Sequence, residues 1–286
     1  MTDSKQGTLV LVGTPIGNRG DLSERAREAI LGADLLLCED TRSPLRLLGV
    51  GGETLPPRVS CFVGNEHDRL ALLEEALAQG KRVAFVSEAG MPVWSDPGRL
   101  LVERAWACGA RLDAIPGPTA TGMALALSGF PAEGATFLGF VERSGPSRKA
   151  QLQRVAQAQG AMIIYEAGNR TAGLLADLCE ALGEQSTRRV LVARELTKAH
   201  QELLRGTAAE LCADVSGALR GEVCVVVEGG GGQLEAGMEP DPSQAAAARV
   251  LEIMLDPSLK PRARAKALAA LTGHNASELY KRLQRS

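Results

Sequence analysis

The stretch LVLVGTPIGNRGDLSERAR, residues 9–27, decides how the rest of the chain is read. Four aliphatic residues, Leu9 to Val12, run into a turn holding Gly13, Pro15, Gly17 and Gly20, and apolar spacing then resumes with a helical period. A buried strand, a tight turn and an amphipathic helix in that order make one βα unit of an open α/β sheet. Such sheets bind small molecules in the crevice beyond the carboxyl ends of their strands. The glycine spacing is GxxxGxxG and Pro15 has no N–H, so the turn does not match the dinucleotide fingerprint GxGxxG. Something other than a pyrophosphate is expected there.

The same alternation continues to about residue 228. Strands are expected at 8–13, 34–38, 59–63, 82–87 and 111–115, with helices over about 22–31, 65–80 and 97–108. Asp21 is the expected N-cap of the first helix and Gly32 its stop. A helix near Pro118, carrying Thr119, Met123 and Leu127, leads into a second lobe. Its strands are expected at 136–141, 161–166, 189–195, 201–205 and 222–228, and its helices near 147–159, 170–182 and 207–214. Hairpin-like spacing around Lys198 predicts that this second sheet is mixed. The expected organisation is an N-terminal α/β lobe at 8–118, a C-terminal α/β lobe at 119–229, a linker at 230–243 and a helical module at 244–286. From Asp256 onward there are seven Lys/Arg against two acids, so the module suits contact with a polyanion.

The 286 residues suffice for two compact lobes, and the net charge of −2 gives no global signal for nucleic acid or membrane. Six scattered cysteines lack any CxxC pair and are expected as buried thiols in a reducing compartment. The start, MTDSKQGT, lacks a signal-like pattern, and no apolar run approaches the roughly 20 residues that span a bilayer. A soluble cytoplasmic protein without membrane contact is the expectation.

Three turns are dense in Gly and Pro and each follows a predicted strand: GTPIGN at 13–18, SEAGMPVWSDPG at 87–98 and PGPTA at 116–120. Any one alone reads as an ordinary βα connection. Three at one sheet edge point to a binding cleft. The only Gly-Lys pair, Gly80 and Lys81, follows a helix and precedes a strand, the reverse of a P-loop.

GTPIGNRGDLSERA, CEDTRSPLRLL, VSEAGMPVWSDPG, IPGPTA, YEAGNR and ARELTKAHQELLRGTAAEL, in this order and spacing, resemble the tetrapyrrole-methylase-like superfamily. Within it they most resemble the ribosomal RNA small subunit methyltransferase I family, over about residues 8–229 and with a similar basic helical tail. The resemblance implies a two-lobed α/β homodimer that binds S-adenosylmethionine between its lobes. The implied reaction is methylation of a cytidine 2'-hydroxyl in 16S rRNA of the small ribosomal subunit. Carried over by motif, the donor contacts fall on Thr14, Pro15, Gly90, Met91, Pro92, Ser95, Asp96, Pro116, Gly117, Pro118 and Thr119. The chain departs from the family pattern at Phe62, Val63 and Gly64, where a His-Glu-His run is usual, which removes an imidazole base. It also departs at Glu88 and Met91, and at Ala167, Gly168 and Asn169.

Transfer from a sulfonium is an in-line displacement whose reactivity resides in the cofactor, and it calls for no metal. A ribose hydroxyl is a poor nucleophile, so a base or a charge favouring the alkoxide belongs within reach. Candidates are Glu39, Asp40, Glu66, Glu195 and Lys198. Lys198 qualifies as a base only if burial or neighbouring cations lower its pKa; otherwise it steers a phosphate. Arg19, Arg42, Arg143, Arg148, Lys149 and Arg170, with Arg194 and Arg205, fall in or beside predicted loops as candidate RNA contacts. Aromatic residues are scarce, so base stacking is not expected as the main device. Trp94 and Trp106 read as packing residues, and His67 and His274 as polar surface. The alternatives are a methylase of the same fold acting on a tetrapyrrole or other small acceptor, and a non-catalytic ribosome-binding factor.

Overall fold

A computed structural model describes residues 6–51, 54–215, 217–230, 249–250, 253–254, 259–272 and 275–283. Of the expected linker only Gly230 falls among them, and His274 lies outside the described residues. The chain divides into two compact units, Met1–Gly232 and Gln233–Ser286.

The first unit holds two sheets. One contains β1 (Thr8–Val12), β2 (Leu35–Cys38), β3 (Arg58–Ser60), β4 (Arg82–Val86) and β5 (Arg111–Ile115), all parallel in the order β3-β2-β4-β1-β5. The connecting helices are α1 (Glu24–Leu31), α2 (Ser43–Leu48), α3 (Leu70–Ala78) and α4 (Arg99–Ala107). A parallel strand covered on both faces needs apolar residues on both, which explains the unbroken aliphatic run of β1. Leu9 packs with Phe85, Leu73 and Leu101 on one face, and Val10 and Val12 with Ala26 and Ile30 on the other.

After α5 (Ala120–Ser128) comes a second sheet with α6 (Gly145–Gln157), α7 (Gly168–Leu182) and α8 (Ala208–Asp214). Its strands are β6 (Thr136–Phe140), β7 (Met162–Ala167), β8 (Arg189–Arg194), β9 (Glu202–Thr207) and β10 (Glu222–Val227), ordered β6-β7-β10-β8-β9. It is mixed, as the spacing around Lys198 predicts: β6 and β7 are parallel, and β10 runs antiparallel to both β7 and β8. One face packs on α6, α7 and α8 through Leu152, Leu174 and Leu211. The other, bearing Ile163, Leu191, Cys224 and Val226, packs Ala124 of α5 and Ile16 of the GTPIGN turn.

Several local expectations need correction. Ser23, not Asp21, caps α1, its hydroxyl accepting from Ala26 N at 3.1 Å. Asp21 instead closes a 3-10 turn, Arg19–Asp21, whose cap is the Asn18 side chain. Helix α2 is an addition, with Pro44 in its first turn and left-handed Gly49 ending it. Only Cys38, Cys61 and Cys224 are buried thiols, pushed up to about 12 chiefly by desolvation, whereas Cys108 is exposed. Trp94 and Trp106 are 51% and 69% exposed, and Trp94 stacks one face on Phe137.

The second unit contains α9 (Pro261–Thr272) and α10 (Ala276–Leu283). Ala265 and Leu268 are buried, the Arg262 guanidinium lies 5.7 Å from the centre of the Tyr280 ring, and the Asn275 side chain accepts from Ser277 N at 2.9 Å. Among the described residues no helix is long and apolar enough to cross a membrane, and no cluster of side chains suits a metal ion.

Candidate active site

Because β4, β1 and β5 are adjacent and parallel, the turns that follow them leave the same edge of the sheet. They are stitched together by main chain. Thr14 N donates to Gly90 O at 2.8 Å and Gly90 N to Thr14 O at 3.1 Å, while Gly13 N donates to Ile115 O at 3.0 Å. A Cβ built on Gly13 would lie 2.6 Å from Gly117 Cα, and one on Gly117 2.7 Å from Gly13 Cα. Only glycine allows this backbone approach.

A cavity of about 400 Å³ opens beside these turns, between them and the second sheet. Ala193, Leu196 and Cys224 form a buried floor. Trp94, Phe140 and Glu222, all exposed, form the rim. Of the residues expected to hold a donor, Gly90, Met91, Ser95, Asp96 and Thr119 line the cavity. Pro92, Pro116, Gly117 and Pro118 do not, and Thr14 and Pro15 line a separate recess of about 50 Å³ with Ser43 and Glu88. Tyr165, Phe140 and Glu222 also line the cavity, beyond the site residues expected from the sequence. Glu222 joins the wall because antiparallel β10 starts where β8 ends, a pairing with no local signature in the sequence.

The non-glycine residues with positive φ among those described are Val93, Ser95, Glu195 and Thr197, all in the SEAGMPVWSDPG loop or the ELTK loop. Left-handed backbone is costly for such residues, above all β-branched Val93 and Thr197, and it concentrates at functional sites. The GTPIGN turn reaches the ELTK loop directly: Asn18 N donates to Thr197 Oγ1 at 3.0 Å. A Cβ on Gly17 would fall 2.5 Å from Lys198 Cγ.

Lys198 Nζ donates to Glu195 Oε1 at 2.9 Å and to Glu222 Oε2 at 2.7 Å. Burial pulls this ammonium down, but the hydrogen bonds and charges of the two carboxylates outweigh it and leave its pKa above the usual lysine value. The condition for a lysine base is therefore unmet. Lys198 is a fixed cation. Glu195 Oε1 also accepts from Glu222 N at 3.0 Å, and that amide together with Lys198 holds the carboxyl below its ordinary range.

The other candidate acids separate by environment. Asp40 is gripped by Arg42 at 2.8 Å, which holds its carboxyl down at about 2. Glu39 accepts from Glu88 N at 2.8 Å and is pushed up by burial. Glu66 is buried, and its Oε1 takes Gly98 N, Leu100 N and Leu101 N at 3.0, 2.7 and 3.3 Å. It caps α4 and is spent on the fold. Asp96 lines the cavity, and burial, then the charge of Glu39, raises it to about 6 against the opposing Ser87 hydroxyl. Glu88 accepts from the Ser43 hydroxyl at 2.7 Å at the start of α2.

Among the expected RNA contacts, Arg148 is largely buried, bonded to Asp177 at 2.6 Å and Glu142 O at 2.7 Å. Arg170 faces Glu166 at 3.3 Å, Arg194 binds Glu202 at 2.9 Å, and Arg205 donates to Ser128 O at 3.1 Å. Arg19, Arg42, Arg143 and Lys149 are exposed.

Residues 8–212 match the model of the Tetrapyrrole (Corrin/Porphyrin) Methylases, so the chain belongs to this class of S-adenosylmethionine-dependent methylases. The fold resembles uroporphyrin III C-methyl transferase from Thermus thermophilus, with TM-score 0.54 and 19% identity over 78% of this chain and 97% of that one. It also resembles a diphthine synthase, with TM-score 0.57 and 14% identity over 77% of this chain and 89% of that one. The cavity suits the donor: its floor is apolar, its wall carries the Asp96 carboxylate for a cationic ligand, and main chain of the Gly90 turn is at its edge.

A ribosomal RNA small subunit methyltransferase I of Thermotoga maritima is 39% identical over 224 residues, 78% of this chain and 99% of that protein. One of Xylella fastidiosa is 37% identical over 280 residues, covering 97% and 99%. The chain is a member of the ribosomal RNA small subunit methyltransferase I family.

Proposed function

We propose that this chain transfers a methyl group from S-adenosylmethionine to the 2'-hydroxyl of a cytidine ribose in 16S rRNA, acting on the small ribosomal subunit as a cytoplasmic homodimer. The observation that carries this reading is Lys198, held as a cation by Glu195 and Glu222 on a strained loop at the cavity wall. The names of the 37–40% identical relatives supply the direction to rRNA.

When bound, S-adenosylmethionine supplies an activated methyl on a sulfonium. Gly90, Met91, Ser95, Asp96 and Thr119 orient it in this reading, with the Asp96 carboxylate complementing its positive charge. The apolar floor excludes water, which strengthens each charge in the site. Lys198 favours the alkoxide character of the attacking ribose oxygen, and its fixed ammonium needs no reorganisation to do so. The hydroxyl proton passes to solvent at the open rim. Arg19, Arg143 and Lys149 serve as phosphate contacts, a role from which Arg42, Arg148 and Arg170 are withdrawn by their partners within the fold.

The test offers tritiated S-adenosylmethionine and small ribosomal subunits lacking the modification to the purified protein, followed by nucleoside analysis. A labelled 2'-O-methylcytidine is expected. Label confined to protein or absent from the ribose refutes the reading, and transfer to a tetrapyrrole instead selects the small-acceptor alternative.

A further inference from the structure

The chain has two Trp, two Tyr and five Phe in all, and three of these nine rings, Trp94, Phe140 and Tyr165, line the cavity, with Phe137 packed against two of them. Trp94 stacks on Phe137 at 5.3 Å and 15°, while Phe137 and Phe140 meet Tyr165 edge-on at 4.8 and 5.7 Å. Two of the rings are left open: Trp94 is 51% and Phe140 58% exposed. Folding alone gives no reason to hold two large rings in water beside a cavity.

The backbone, moreover, is built to put them there. Strand β6 carries a bulge between Phe137 and Gly139, with Gly139 left-handed at φ 76, so that Phe140 pairs with Tyr165. In a regular strand, residues three apart point to opposite faces. The extra residue brings Phe137 and Phe140 to one face, the face of Ile163 and Tyr165 that overlooks the cavity floor. Bulges beside active sites re-aim side chains in this way. Trp94, on the loop after β4, sits between left-handed Val93 and Ser95, at φ 75 and 68. Two independent distortions, one on each sheet's side, thus deliver two exposed rings to one rim.

We infer that Trp94 and Phe140 form a stacking platform for the nucleobase of the nucleotide that is methylated. The inference rests on the proposed RNA reading and deepens it. A nucleobase is the planar, π-faced ligand that such rings recognise without regard to sequence. The donor also carries one, its adenine, but a small-molecule cofactor is buried over most of its surface. Rings half in solvent at the rim suit a base arriving from outside. Stacking is thereby restored as a device for binding, despite the low aromatic content of the chain.

The test compares wild-type protein with Trp94→Leu, Phe140→Leu and Trp94→Phe, using unmodified small ribosomal subunits as acceptor. Each leucine variant keeps apolar bulk and loses the π face. Since stacking contributes about 1–3 kcal/mol per base, kcat/KM for the subunits should fall roughly 5- to 150-fold. The affinity for S-adenosylhomocysteine by calorimetry should stay within about twofold, and Trp94→Phe should recover most of the loss.

Unchanged kcat/KM in both leucine variants, or a parallel loss of S-adenosylhomocysteine affinity, overturns the stacking platform. A change in oligomeric state in the leucine variants does so too, since the rings then face a second copy. Wild-type protein that labels no RNA refutes the proposed function instead, a result read before any variant is compared.

Discussion

Replacing Lys198 by methionine removes the ammonium and keeps most of the apolar stem. Two bonds are lost, at 2.9 Å to Glu195 and at 2.7 Å to Glu222. The Glu222 side chain is 82% exposed, so its pair contributes about 0–1 kcal/mol. Glu195 is mostly buried but keeps the Glu222 amide as a donor, which limits the cost there to roughly 1 kcal/mol. A total of about 1–2 kcal/mol corresponds to a fall in Tm of roughly 2–8 °C, measurable by calorimetry. The effect on chemistry is larger. Loss of a preorganised charge from a developing oxyanion costs about 10²–10³ in kcat. Donor affinity should hold within about twofold.

The pH profile separates cation from base. A raised lysine pKa leaves Lys198 charged throughout the neutral range, so wild-type kcat should show no rising limb that belongs to it. A lysine base would instead give kcat rising about tenfold per pH unit from about pH 7 to about pH 9, a slope that Lys198→Met abolishes. That slope, or full turnover in the methionine variant, refutes the reasoning.

Two further outcomes follow from the geometry. Gly17→Ala places a Cβ 2.5 Å from Lys198 Cγ, 2.7 Å from Thr197 Oγ1 and 3.0 Å from Leu196 O. The ELTK loop must shift, and overpacking of this kind costs about 1–3 kcal/mol; a thermal melt and a turnover assay should both show a loss, and wild-type values in both would mean that the two loops are not in contact. Asp96, raised to about 6, is ionised above that pH and neutral below it. If its charge complements the donor, the Kd for S-adenosylmethionine should weaken roughly tenfold between about pH 7 and about pH 5, and Asp96→Asn should abolish the dependence. A flat wild-type profile removes Asp96 from the donor site.

The reading of GTPIGN as a strand-tip turn rests on local chemistry: an aliphatic run, then glycines where backbone must approach backbone. That local signal located β1, α1 and the edge at which Gly13 and Gly117 touch. Helix α2 escaped because its six residues, with Pro44 near the start, are too few for periodicity to register. The cap of α1 was placed two residues early because Asp21 and Ser23 are both capping residues, and only the backbone angles choose between them.

By its own pattern the sequence determined the alternation of strands and helices, the mixed character of the second sheet and the three glycine-rich turns at one edge. These are written within windows of a dozen residues. Tertiary structure alone decided what those turns face. Lys198 is held as a cation because Glu222, on a strand 24 positions away in the chain, pairs beside it. The open rings share a rim through a bulge in β6 and left-handed backbone around Trp94. Charge state and ring placement depend on distances between groups remote in sequence, and no local propensity encodes those distances.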